Sequence, residues 1–185
     1  VNSQRATRAL ARARVLVSAQ EVEAAVDRVS VRVSAMLRHS NPVVLCILQG
    51  GYAYHAQLCQ RLRFPLETGY LHVSRYGENT TGGALHWRAR PSLDVGDRTV
   101  LVVDDVLDKG VTLAVVIDAL KEAGARKVFS TVLVSKDVAD RERPGIDFVA
   151  LHCPDEYLFG CGMDFRGYWR NLPEIYALPA DLEHP

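Results

Sequence analysis

Apolar and polar positions follow two rhythms along this chain, and the switching between them predicts the order of elements. Val22, Val26, Val29 and Val33 recur at helical spacing and predict an amphipathic helix that closes near Met36 and Leu37. Asn41-Pro42 then breaks the chain, and Val43–Leu48 is an unbroken apolar run, the pattern of a strand covered on both faces. Gln49-Gly50-Gly51 predicts a tight turn, residues 53–62 a second helix, and residues 66–73 the next strand. Residues 75–83 are polar and glycine-rich without periodicity, a loop suited to closing over a site. Residues 100–104 predict another buried strand. Leu113, Val116, Ile117 and Leu120 fall at i, i+3, i+4 and i+7, with Gly124 as the helix stop. Residues 128–134 and 148–151 supply further strands. This alternation predicts an α/β fold, a mostly parallel twisted sheet with helices on both faces.

Composition narrows the classes without deciding between them. The 185 residues fit a single domain, long enough to bury on the order of 70% of the unfolded surface. The formal net charge is zero, which argues against nucleic acid and anionic membranes as partners. No apolar run approaches the ~20 residues of a membrane helix. The four cysteines, Cys46, Cys59, Cys153 and Cys161, are dispersed and form no C-x-x-C pair, so free thiols in a reducing compartment are expected. The expected location is the cytoplasm. Arg5, Arg8, Arg12 and Arg14 precede the first acid, Glu21, and predict a short basic surface helix rather than a transit segment.

In an open α/β sheet, ligands bind beyond the carboxyl ends of the strands. The segment richest in chemistry sits at such an end: Leu101-Val102-Val103-Asp104-Asp105-Val106-Leu107-Asp108-Lys109-Gly110-Val111-Thr112-Leu113. A buried strand delivers two acids, and a turn through Asp108 and Gly110 leads into a helix beginning near Thr112. Such a turn offers backbone N–H groups, the positive end of a helix dipole and a hydroxyl, a cradle for phosphate. The carboxylates suit hydroxyl groups and a hard cation such as Mg²⁺. Read on its own, the same segment also fits a polar turn in which Asp104 or Asp108 merely caps the helix.

That string closely resembles the phosphoribosyl pyrophosphate motif of type I phosphoribosyltransferases. It is neither a Walker A loop nor a dinucleotide fingerprint. Lys109 departs from the pattern, standing where many members carry a small hydroxyl residue or an acid. A second string, Pro154-Asp155-Glu156-Tyr157-Leu158-Phe159-Gly160-Cys161-Gly162-Met163-Asp164-Phe165 followed by Tyr168-Trp169-Arg170-Asn171-Leu172-Pro173, resembles the purine segment of hypoxanthine-guanine phosphoribosyltransferases. With Leu48-Gln49-Gly50-Gly51 and Ser74-Arg75-Tyr76-Gly77, the resemblance runs from about Val15 to Leu178.

The resemblance implies one phosphoribosyltransferase domain over residues 1–185, with a core of about 40–150. A small hood comes from 152–185 with N-terminal contributions. It implies that Asp108, Lys109, Gly110, Val111 and Thr112 hold the 5-phosphate, while Asp104 and Asp105 bind the ribose hydroxyls or their metal. Gln49 and Gly50 are implied to meet pyrophosphate through the backbone and Arg170 through its guanidinium, with Arg75 and Tyr76 on the closing loop. Asp164 is implied as a second Mg²⁺ ligand at the edge of the purine. Tyr157 is implied to stack on the base, Leu158 to present its carbonyl, and Lys136 to donate to the purine O6. Asp108 and Lys136 are the implied catalytic pair. A cis peptide at Gln49-Gly50 and a homo-oligomer, dimer or tetramer, complete the picture. The implied reaction is purine salvage, transferring a phosphoribosyl group to hypoxanthine or guanine. Two alternatives remain open at this point: a regulatory protein of the same fold binding phosphoribosyl pyrophosphate or RNA, and a generic α/β nucleotide-binding or hydrolase domain.

Overall fold

A computed structural model describes residues 2–75, 85–138 and 145–179. Its elements in chain order are α1 (Ser3–Arg12), β1 (Arg14–Val17), α2 (Ala19–Leu37), β2 (Val43–Leu48), α3 (Tyr52–Cys59), β3 (Glu67–Arg75) and β4 (Leu85–Ala89). They continue with β5 (Thr99–Leu107), α4 (Val111–Glu122), β6 (Lys127–Lys136), β7 (Phe148–Cys153), β8 (Tyr157–Phe159) and β9 (Ile175–Leu178). Six strands form the main sheet in the order β4-β3-β2-β5-β6-β7, parallel except for β4 at one edge. The mostly parallel α/β sheet read from the sequence is therefore present.

The central strands β2, β5 and β6 are buried along most of their length, as their continuous apolar runs require. On one face α2 and α3 cover Val44, Leu101, Val103 and Leu133. On the other, Leu113, Val116, Ile117 and Leu120 of α4 pack on Leu45, Val100, Val102 and Val132. Ser18 opens α2 with a reciprocal cap, its hydroxyl accepting from the Glu21 amide while the Glu21 carboxylate accepts from the Ser18 amide. Gly124 ends the α4 turn in the left-handed region at φ 89°, a conformation that favours glycine.

Several boundaries differ from the sequence reading, β3 spanning Glu67–Arg75 and β7 running on to Cys153. Helix α3 stops at Cys59, because Arg61 and Leu62 bond to Leu58 and Cys59 three residues back, and this tighter pattern ends the regular helix. Strand β5 runs on to Leu107, held by β6 through the Asp104–Val132 and Val106–Val134 pairs after its pairing with β2 has ended at Val103. Strand β6 likewise continues to Lys136. A second sheet, β1-β9-β8, is antiparallel and joins the start of the chain to its C-terminal segment. Strands this short carry too few residues for a readable alternation. Under them, Ala6 and Ala9 of α1 pack on Phe159, Phe165 and Leu178. No described helix is long and apolar enough to cross a membrane.

Candidate active site

The ends of β2 and β5 meet because glycines leave room for it. A Cβ on Gly50 would lie 1.9 Å from an Asp105 carboxylate oxygen, and one on Gly51 would lie 2.8 Å from the carbonyls of Ile47 and Val103. Only glycine permits this approach of turn to strand. The cis peptide in this turn is Leu48-Gln49, one bond earlier than expected at Gln49-Gly50. The reason the glycines are needed differs accordingly: they accommodate Asp105 and the neighbouring backbone.

Asp104 and Asp105 stand where β5 has lost its β2 neighbour. The Asp105 amide donates to the Asp104 carboxylate at 3.0 Å, and the Val106 amide to the Asp105 carboxylate at 2.8 Å. Burial, the adjacent Asp105 charge and a carboxyl–carboxyl hydrogen bond hold the Asp104 carboxyl well above the usual range. Burial raises Asp105 too, with hydrogen bonds from Asp104 and the Val106 amide opposing it.

Beyond Leu107 the chain turns through Asp108 and Lys109, both exposed, to Gly110 at φ 83°. Gly110 caps α4 with no side-chain hydrogen bond, leaving the helix N-terminus pointing at the turn. This turn, the Leu48–Gly50 corner, Asp104, Asp105, Asp164 and Arg170 enclose a cavity of about 420 Å³. A smaller one of about 170 Å³ lies beside it, lined by Lys136, Tyr157, Leu158 and Met163. Asp105, Val106, Asp108 and Asp164 line both.

The C-terminal segment reaches this site through one glycine. At Gly162, φ 101°, a Cβ would sit 2.1 Å from the Gly50 carbonyl oxygen. The Arg170 guanidinium donates to the Gly162 carbonyl at 2.7 Å and pairs with Asp164 at 2.6 Å. The Gly167 amide donates to the other Asp164 oxygen at 2.5 Å. The Tyr157 hydroxyl donates to the Asp164 backbone carbonyl at 3.2 Å, and burial followed by the Asp164 charge pushes its phenol up. Lys136, its side chain only 15% exposed, lies 3.5 Å from Asp155.

Most of the residues singled out from the sequence thus converge: Gly50, Asp104, Asp105, Asp108, Lys109, Gly110, Thr112, Lys136, Tyr157, Leu158, Asp164 and Arg170. Gln49 and Val111 do not line either cavity, their neighbours Leu48, Gly50, Gly110 and Thr112 doing so instead. Arg75 ends β3, and Tyr76 with the rest of the expected closing loop lies outside the described residues. Leu48, Val106 and Met163 line the cavities without having been singled out. As apolar residues they read as core, and only their adjacency to Gln49, Asp105 and Asp164 could have marked them. Among the described residues no three acidic, histidine or cysteine side chains converge on one point as a metal cage. Asp104, Asp105 and Asp164 instead offer dispersed oxygen donors, which fits a Mg²⁺ held partly by substrate phosphates and water.

A fold and site of this kind, with acids at a strand end running into a phosphate-type turn, define a phosphoribosyl-transferring class. The family profile described as "Phosphoribosyl transferase domain" matches residues 15–166, and the chain belongs to that family. It is 27% identical to the hypoxanthine-guanine phosphoribosyltransferase of Bacillus subtilis over 172 residues, covering 92% of this chain and 96% of that one. It is 27% identical to the hypoxanthine-guanine-xanthine phosphoribosyltransferase of Tritrichomonas foetus, covering 89% and 91%. The bifunctional protein TilS/HprT of Listeria innocua matches at 28%, and there this chain spans only 26% of the relative's length. A hypoxanthine phosphoribosyltransferase structure from Staphylococcus aureus has the same fold, with a TM-score of 0.87 at 21% identity over 93% of this chain and 94% of that one.

Proposed function

We propose that this protein salvages purines, transferring the 5-phosphoribosyl group of phosphoribosyl pyrophosphate to hypoxanthine or guanine with release of pyrophosphate. The observation that carries this reading is the wall shared by two cavities. Asp108 borders both the large cavity, which has a phosphate-type turn and acids, and the small one, which has an aromatic side, a backbone edge and a lysine. Two adjoining pockets separated by a carboxylate suit two substrates that must react across that boundary.

In this reading the turn Asp108-Lys109-Gly110-Val111-Thr112 and the N-terminus of α4 hold the 5-phosphate. Asp104 and Asp105 accept the ribose hydroxyl protons. The Gln49-Gly50 backbone and Arg170 bind the pyrophosphate, the guanidinium fork matching its oxygens. Mg²⁺, which Asp104, Asp105 and Asp164 would hold, supplies charge neutralisation for the diphosphate. Tyr157 covers the base, the Leu158 carbonyl meets its edge, and Lys136 donates to the 6-oxygen. As the C1′–pyrophosphate bond breaks and the base nitrogen bonds to C1′, Asp108 takes the N7 proton, with Lys136 beside it. Arg170 and the corner backbone stabilise the departing charge with donors already in place. Core and hood act as one domain in a homo-oligomer.

An assay with radiolabelled bases and phosphoribosyl pyrophosphate tests this directly. Nucleotide product from hypoxanthine or guanine, dependent on added Mg²⁺, is expected. No product from hypoxanthine, guanine or xanthine would overturn the proposal.

A further inference from the structure

The segment between Asp164 and Arg170 faces two ways. Asp164 and Arg170 line the large cavity, whereas the residues next to them, Phe165 and Trp169, turn into the apolar cluster under α1. The segment is a small hairpin. Phe165 and Tyr168 exchange backbone hydrogen bonds at 2.9 and 3.0 Å, and Arg166 and Gly167 between them take φ 49° and 92°. Two central residues at positive φ are the mark of the tight turns that reverse a hairpin. A two-stranded hairpin is marginal by itself, and this one pairs over a single bridge. Its aim at the cavity therefore depends on what lies behind it.

Helix α1 lies behind it. Ala6 and Ala9 are buried, and their small side chains bring the helix backbone close to Phe165 and Trp169. The Trp169 indole N–H donates to the Ala6 carbonyl at 2.7 Å. A carbonyl inside a helix keeps a second lone pair for such a bond. Trp169 itself stands at φ 70°, a conformation that a bulky residue holds only where its surroundings fix it. With Trp169 turned to the helix, the next side chain, Arg170, enters the cavity. The Arg170 carbonyl is held as well, accepting from the Gly162 amide at 2.9 Å and the Tyr52 hydroxyl at 3.2 Å.

We propose that Trp169 is a positioning residue for the diphosphate: its indole ties the hairpin to α1 and so fixes the guanidinium of Arg170, one residue along, where it meets pyrophosphate. This rests on the reading of Arg170 as a pyrophosphate ligand. Trp169 lines neither cavity and takes no part in the chemistry, so its effect passes through Arg170.

Trp169→Phe tests the proposal, because the ring stays and the N–H is lost. Calorimetric titration of parent and variant with pyrophosphate in the presence of Mg²⁺ reads affinity without turnover. A hydrogen bond of this kind is worth roughly threefold to tenfold in an equilibrium constant, and the variant should bind pyrophosphate more weakly by that factor. KM for phosphoribosyl pyrophosphate should rise in parallel, while KM for hypoxanthine stays at the parent value. A lower melting temperature with unchanged pyrophosphate affinity would make the bond merely structural and overturn the proposal. So would equal shifts in both KM values. The parent supplies a second measurement should the variant not fold. Solvent exchange of the Trp169 indole N–H, assigned by NMR against Trp87→Phe, should be slow and should slow further with saturating pyrophosphate. Rapid exchange, or no response to pyrophosphate, would overturn the proposal. A parent that binds no pyrophosphate would overturn the reading of Arg170 as well, whereas equal binding by parent and variant would overturn the part of Trp169 alone.

Discussion

Arg170 and Asp164, one read as a pyrophosphate ligand and the other as a metal ligand, are paired with each other at 2.6 Å. Each is therefore held in place, the guanidinium donating to Asp164 and the Gly162 carbonyl and the carboxylate also accepting from the Gly167 amide. Binding of pyrophosphate and Mg²⁺ would exchange one internal ion pair for two external ones. Arg170→Ala and Asp164→Asn should each lower kcat/KM for phosphoribosyl pyrophosphate by tenfold or more. Their effects should be strongly non-additive, because each single change leaves the other group unpaired. A double-mutant cycle checks this. Strictly multiplicative losses would mean the pair has no bearing on the reaction.

Gly162 meets Gly50 where no side chain fits. A Cβ there would lie 2.1 Å from a backbone oxygen that cannot swing away, and φ is 101°. Gly162→Ala should cost about 1–3 kcal/mol of stability. It should also push the Asp164–Arg170 segment off the Gln49-Gly50 corner, raising KM for phosphoribosyl pyrophosphate several-fold. Gly167→Ala has a similar φ of 92° but open space around it, and separates backbone strain from collision. Thermal melts of both variants, with KM measured alongside, decide whether the close approach itself matters.

Asp108 is exposed and borders both cavities, so its replacement should leave the fold intact. Asn keeps the shape but cannot accept a proton. Asp108→Asn should lose roughly 10²–10⁴-fold in kcat, the range of general-base help, with little change in melting temperature. Turnover at the parent rate would make Asp108 a structural residue of the turn.

The long elements were legible because each buries a regular stripe or an unbroken apolar run, and α2, β2, β5 and α4 follow such patterns. Much of the site was legible for a different reason: Asp104, Asp105, Asp108 and Gly110 lie within one contiguous string at a strand end. What stayed hidden depended on three-dimensional contact. Nothing in the local sequence says that Gly162 touches Gly50, or that Trp169 reaches Ala6. Nor does a pattern show that Arg170 and Asp164, six residues apart, turn toward each other. Single-residue register in a tight turn is equally out of reach, and the cis bond, Leu48-Gln49, lies one position before the one the resemblance implies.

The thiols offer a prediction independent of catalysis. Burial pushes Cys46 up to about 12 and Cys59 and Cys161 to about 11, and raises Cys153 as well. A free thiol ionises near 8.5, so at pH 8 the thiolate fraction of Cys46 falls by roughly 10³. Labelling with a chromogenic disulfide reagent at pH 8 should be slow at all four positions in the folded protein. It should be complete and rapid after denaturation. A fast equivalent at Cys46, Cys153 or Cys161 in the native state would contradict the burial of that side chain.

Selectivity for the base is the sharpest consequence of the small cavity. Hypoxanthine and guanine carry an oxygen acceptor at position 6, whereas adenine carries an amino donor. Lys136 has donors only, and at 15% side-chain exposure its ammonium has little water to fall back on. Adenine would therefore set donor against donor and deprive the ammonium of a base acceptor. Sites organised around one buried polar contact discriminate by roughly 10⁴–10⁵, far beyond what pocket shape alone supplies. Tyr157 cannot provide this preference, because stacking sees nearly the same face on every purine. Asp155, 3.5 Å from Lys136, helps to position the ammonium from the solvent side. Adenine turnover should accordingly be lower than hypoxanthine turnover by at least 10³-fold in the unmodified protein, as measured by competing labelled bases. Lys136→Met should abolish most 6-oxopurine turnover without a matching gain for adenine, since the 6-amino group would still find no acceptor. Comparable rates on adenine and hypoxanthine would remove Lys136 from the base site and the 6-oxopurine assignment with it.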